Sequence, residues 1–220
     1  MNLNNIDILE AEKYGGKIIY EDEVLGTVAI NEDLIMTDFK TLSPLINILN
    51  DFKITPKTLC IKEESLFKEI DIAFNIKRTL TCSQWVYTKN TAPQFDSKNI
   101  KNLDISYLDI ILKHYKTVQD KEYLAERLSS NNIFGIFEKN LLAGFIGIHN
   151  EGSIGMLEVF DDFRRKGYAY SLEAFVINKQ LKKGRIPYCH VVEGNVPSFN
   201  LQKKLNFTKT DKPSIWINLE

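Results

Sequence analysis

Residues 156–170 read MLEVFDDFRRKGYAY, and the fold of the chain is decided there. The apolar run Met156, Leu157, Val159 and Phe160 predicts a strand. It ends at Asp161 and Asp162, passes three cations (Arg164, Arg165 and Lys166), turns at Gly167 and enters a helix. That order describes an anion cradle. The N–H groups in the first turn of a helix have no intrahelical partner, and the helix dipole adds partial positive charge to them. A loop that aims such donors at one point holds a phosphate. Gly167 lets the backbone come close to a ligand, Ala169 keeps the helix start thin, and the cations deepen the field. The amides from Gly167 through Tyr168 and Ala169 to Tyr170 are the candidate donors.

The spacing Arg164-x-x-Gly167-x-Ala169 after a strand resembles the coenzyme A pyrophosphate loop of the GNAT acyltransferase superfamily. Downstream, the stretch from Asn195 through Ser198, Leu201, Gln202, Lys204 and Leu205 to Phe207 resembles that family's second signature. One helix and one strand are expected between the two. The resemblance covers residues 98–220, and it implies an α/β fold with a mixed, mostly antiparallel sheet flanked by helices. Some features are similar to the glycine N-acyltransferase-like branch.

Apolar residues at 44% and charged residues at 26% suit an ordinary globular chain of 220 residues, long enough to bury a core. The 28 basic and 29 acidic residues nearly cancel, which removes any global electrostatic argument for nucleic acid or an anionic membrane. No apolar stretch approaches the roughly 18 residues of a membrane span, and the start MNLNNIDILEAEK is unlike a signal peptide. Cys60, Cys82 and Cys189 are odd in number and widely spaced, which suits a reducing cytoplasm. His114, His149 and His190 make no ligand pairs with them, so no metal is expected.

Two domains are predicted, 1–97 and 98–220, joined by the polar stretch TAPQFDSK at 91–98. In the first, 17–20 and 24–30 read as a hairpin, and 34–36 as a further short strand. Ser43-Pro44 reads as an N-cap and first turn, followed by Leu45, Ile48, Leu49 and Phe52 on one helical stripe. A strand over 58–61, a helix carrying Phe67, Ile70 and Phe74, and a strand over 81–88 complete a small α/β module. It bears no catalytic motif, so a structural or acceptor-shaping role is expected of it.

In the second, a strand over 99–104 precedes two helices, one starting near Ser106 and one capped by Asp120. Runs at 133–137 and 141–149 form a hairpin around Glu138-Lys-Asn140. The central strand follows from 154. The cradle helix closes at Lys182-Lys183-Gly184, a strand runs over 188–192, and a short helix over 198–204. A final hairpin over 207–219 is broken by Pro213. The family resemblance makes the two early helices a roof for the acceptor, so Tyr115 and Tyr123 are either acceptor contacts or core aromatics.

The resemblance also assigns roles. Arg164, Arg165, Lys166 and the amides of 167–170 would hold the coenzyme phosphates. The main chain of Leu157 and Val159 would pair with pantetheine, and the Val159 N–H would face the thioester oxygen; such a donor lowers a barrier by about 3 kcal/mol. Asn195 would bond the pantetheine arm, with Ser198 beside it in the same signature. Glu158 is the candidate base, with Glu151, His190 and Glu193 as rivals. Gln202 stands where many members carry the tyrosine that protonates the thiolate. A thiolate of pKa about 8.5 can leave unaided or take a proton from water. Asn206 replaces the usual glycine and tolerates a left-handed backbone.

The expected activity is transfer of an acetyl group from acetyl-coenzyme A to a primary amine of a small or amino-acid-like acceptor. The alternatives are a coenzyme A-binding sensor or scaffold with little turnover, and an interaction protein whose basic loop meets an acidic partner. A homodimer is one possible assembly.

Overall fold

The computed structural model describes residues 2–220. Two compact units divide the chain. One contains Met1–Val86, His190–Phe199 and Thr208–Glu220; the other contains Tyr87–Cys189 and Asn200–Phe207. This differs from the expected division at 97/98.

In the first unit a short helix, α1 (Ile6–Glu10), precedes strands β1 (Lys17–Asp22), β2 (Gly26–Asn31) and β3 (Leu34–Thr37). Helix α2 (Leu42–Asp51), β4 (Thr58–Ile61), α3 (Glu64–Ala73) and β5 (Ile76–Val86) follow. The helical start was not foreseen. The α2 cap position is Thr41, not Ser43, which lies inside the helix; Thr41 makes no side-chain cap bond. β5 begins five residues earlier than the strand read at 81–88.

Period-two alternation gives the sheet two buried faces. Val28, Ile35, Leu59 and Ile61 pack with Leu45, Ile48 and Leu49 of α2 and Leu66 and Ile70 of α3. Their neighbours Ala29, Met36 and Cys60 pack with Ile8 and Ala11. The sheet closes only with the chain's last strand. The expected terminal hairpin is instead one strand, here numbered last, that runs Thr208–Leu219 and lies antiparallel between β4 and β5. Pro213 sits at an irregularity in its pairing with β5 rather than at a turn, where the lost N–H is tolerated. A chain cut at 97 would therefore deprive both β4 and β5 of a neighbour.

The second unit holds β6 (Ile100–Asn102), α4 (Leu108–His114), α5 (Lys121–Ser129), β7 (Ile133–Glu138), β8 (Leu141–Ile148), β9 (Ile154–Val159) and α6 (Tyr168–Leu181). β6 to β9 form an antiparallel sheet in chain order. The stretch at 91–98 has no helix or strand and belongs to this unit. Asp120 caps α5 as expected, accepting the Tyr123 N–H at 3.0 Å. Lys139 and Asn140 take left-handed backbone at the β7–β8 turn. Leu108, Ile111, Tyr115, Leu124 and Leu128 pack on Ile133, Phe145 and Met156, so Tyr115 is a core aromatic. β10 (Tyr188–Val192) and α7 (Val196–Lys204) carry the chain on to the last strand, which is β11. β10 lies beside β5 at the edge of the larger sheet.

Candidate functional site

β9 ends its sheet, so one of its edges has no partner strand there. Its pairing with β8 slips between Phe145 and Gly147, where Ile146 faces two residues, Met156 and Leu157. Met156 takes φ 53°, so this is a bulge with a left-handed first residue. Beyond the bulge Phe160 N donates to Ala143 O at 2.9 Å, and Val159 stands opposite Gly144. That register turns both the N–H and C=O of Val159 to the free edge. The carbonyl is met there by Arg164 Nε at 3.1 Å. A backbone donor aimed away from the sheet at Val159 is what a thioester oxygen requires.

The loop after β9 has the backbone of a cradle. Arg164 is extended, Arg165 is left-handed at φ 63°, and Gly167 is left-handed at φ 84° as the N-cap of α6. The first amide to bond back is Ser171, to Gly167 O at 3.1 Å. The N–H groups of Tyr168, Ala169 and Tyr170 thus have no helical acceptor. A Cβ built on Gly167 would meet nothing within 4 Å, so the glycine faces open space. An anion-bearing group such as a coenzyme pyrophosphate fits these donors.

Two of the three cations are already paired. Arg164 meets Asp161 at 2.8 Å and Glu158 at 3.2 Å. Lys166 meets both oxygens of Glu138, at 2.9 and 3.0 Å, and Tyr168 donates its hydroxyl to the same carboxylate. Those two partners hold the Glu138 carboxyl below its usual range, the Tyr168 bond first. The structure therefore brings together Leu157, Glu158, Val159 and Arg164 to Tyr170. Asn195 and Ser198 belong to the first unit, where Asn195 Oδ1 accepts the Ser198 N–H at 3.2 Å and caps α7.

The rival bases are engaged elsewhere. Glu193 accepts from Ser83, and Glu151 is buried and accepts from Ser153. Tyr123 shares a 2.7 Å bond with His149 Nδ1; burial, then the Glu151 carboxylate, push the Tyr123 hydroxyl up. His190 Nε2 lies 3.1 Å from Gln84 and 3.2 Å from Asp7, inside a buried network of the first unit. Asp7, Cys60 and His190 are also the one group among the described residues that could gather three metal ligands. Lys62 already fills the cation's place. Its ammonium donates to Asp7 at 2.5 Å, Ser214 at 2.7 Å and Gln84 at 3.0 Å.

Gln202 is turned inward. It is 3% exposed and bonds Glu173 of α6, which is itself buried. Burial pushes the Glu173 carboxyl up to about 7, against the opposing pull of that bond. Glu173 Oε2 and Gln202 Oε1 have no partner, and a proton on Glu173 would supply the donor both lack. The sign of the consequence is definite. Below the unfolded value of about 4.3 both states hold the proton; between there and about pH 7 only the unfolded chain ionises, so stability falls as pH rises. Glu173→Gln should flatten this fall, read as the urea midpoint between pH 5 and 8. Parallel curves for the two proteins would show that the carboxyl is not held neutral.

Sequence reasoning missed Glu138, the Met156 bulge, Glu173 and the Asp7–Lys62 network. For Glu138 the one signal was an acid at a hairpin turn; the others had none.

Residues 133–217 match the family described as FR47-like protein. Comparison with curated proteins finds no match. Among solved structures, a Drosophila protein is similar over 100% of this chain and 90% of its own, with TM-score 0.70 and 14% identity. An acetyltransferase of the GNAT family from Colwellia psychrerythraea covers 100% and 98%, at TM-score 0.55 and 11% identity. A GCN5-related N-acetyltransferase from Kribbella flavida covers 99% and 96%, at TM-score 0.57 and 8% identity. At these identities the likeness is one of fold, and the fold is that of the GNAT superfamily. Among the described residues no helix is long and apolar enough to cross a membrane.

Proposed function

For this chain of GNAT fold, with its FR47-like segment at 133–217, we propose an N-acyltransferase that moves an acetyl group from acetyl-coenzyme A to a primary amine of a small or amino-acid-like acceptor. The observation that carries it is the run from bulged edge strand to left-handed loop to helix start, over 156–170. The amides of Tyr168 to Tyr170, with Arg164, Arg165 and Lys166, take the pyrophosphate. The free edge of Leu157 to Val159 takes pantetheine, and Val159 N–H meets the oxygen that gains charge when the amine attacks. Attack forms the C–N bond, and collapse breaks C–S. Glu158, released as phosphate takes Arg164, accepts the ammonium proton directly or through water. Gln202 offers no acid, so the thiolate leaves as the anion or is protonated by water.

That same inward Gln202 favours a second reading, a coenzyme A-binding module with little turnover. Calorimetric titration with coenzyme A tests both, and free-thiol release with a panel of primary amines separates them. Binding with release is expected. Binding without release across the panel would leave the module reading, and no binding would remove both.

A further inference from the structure

The acids around the cradle come from different places. Asp161 is 84% exposed on the loop itself, and Glu158 meets Arg164 through one oxygen. Glu138 differs from both. It ends β7, twenty-eight residues before Lys166, so its position is fixed by the sheet and not by the loop. Both its oxygens lie within 3.0 Å of Lys166 Nζ, and it also takes the side-chain hydroxyl of Tyr168, the first residue of α6. A carboxylate so placed does for Lys166 what a phosphate oxygen would do. Among the described residues Arg165 is the one loop cation with no acidic partner.

We propose that Glu138 is a tethered competitor anion that sets the affinity and selectivity of the cradle, yielding Lys166 and Tyr168 only to a ligand carrying phosphate. The proposal rests on the reading of 164–170 as a phosphate cradle. Because the competitor is part of the chain, its effective concentration is high and constant. A pyrophosphate, presenting several oxygens to Lys166, Arg165 and the α6 amides together, displaces it. A single weakly held anion does not. Glu138 thereby raises the threshold for binding, and its carboxylate must swing clear each time the coenzyme enters.

The test is the sign of one substitution. Glu138→Gln keeps an acceptor for Tyr168 and removes the charge. It should tighten coenzyme A by about two- to fivefold, the range for a partly exposed ion pair. Pantetheine, which has no phosphate, should bind the two proteins alike. In a Lys166→Met background Glu138→Gln should bring at most a marginal gain, because the contested cation is gone. Thermal melts confirm that each variant is folded, and Glu138→Ala serves as a second uncharged variant. Unchanged or weaker coenzyme A binding by both folded uncharged variants would overturn the proposal and make Glu138 a prop of the loop. Failure of the unaltered protein to bind coenzyme A would overturn the cradle reading itself, and the proposal with it.

Discussion

Lys62→Met is expected to lower the stability of the protein by about 3–5 kcal/mol, the cost of breaking a fully buried ion pair by removing one partner. Lys62 and Asp7 have fully buried side chains 2.5 Å apart. Methionine fills the volume but donates nothing, so Asp7 keeps its charge without its main cation, and Ser214 and Gln84 lose a donor. Burial pushes the Asp7 carboxyl up; the Lys62 ammonium, then the His190 bond, more than reverse this and hold it well below the carboxylate range. A depressed carboxyl contributes stability that is present above its unfolded value of about 3.9 and lost as pH falls toward its folded value. In Lys62→Met that contribution is absent. The gap between variant and parent should thus be full at pH 7 and narrow below about pH 4. Urea denaturation at both pH values measures it, with an unchanged m-value as the check on two-state behaviour. Asp7→Asn combined with Lys62→Met should recover part of the loss, because no buried charge is then left unpaired. A loss under about 1 kcal/mol at pH 7 would mean that water reaches the pair, contrary to its burial.

This network marks the boundary of what the sequence could disclose. The strand–loop–helix run at 156–170 was legible because its parts are contiguous: strand, acids, cations, Gly167 and helix lie within fifteen residues, and each has a local cause. Asp120 as a cap and the β7–β8 turn were legible for the same reason. The network joins α1, the residue after β4, β5, β10 and β11; Lys62 and Ser214 are 152 residues apart, and nothing near Lys62 announces Ser214. Pro213, a local breaker, predicts a hairpin where β11 runs unbroken. Pairing on both sides, with β4 and with the long β5, outweighs that preference. The observed division departs from the expected boundary at 97 for a related reason. A polar, proline-bearing stretch looks like a linker, yet the chain returns after it to complete the first sheet. Met156 in a left-handed conformation has no propensity behind it; the bulge is imposed by the register with β8. Asn206, at φ 63°, was the reverse case, since its residue type already suggested the left-handed region.

Gly167→Glu should abolish coenzyme A binding and leave the fold near normal, and the geometry separates the two effects. In the protein itself the substitution costs backbone strain of about 1–2 kcal/mol, because φ is 84° and glutamate lacks glycine's freedom there. Its Cβ meets no clash, since nothing lies within 4 Å of that position. An acid at a helix start offsets part of the strain by interacting with the dipole. On the proposed reading of 164–170, the same open space is where a bound phosphate lies. A carboxylate about 4 Å from a phosphate charge costs about 4 kcal/mol at an effective dielectric of 20, close to a thousandfold in affinity. Salt screening reduces this, so a loss of at least about a hundredfold is expected at physiological ionic strength. Gly167→Ala isolates the strain: it should melt lower by a similar amount, yet bind far better than the glutamate variant. Titration by calorimetry beside a melting curve reads both quantities on one sample. If the glutamate variant is folded and binds coenzyme A as tightly as the parent, the phosphate does not sit at the start of α6, and 164–170 is a solvated helix entrance.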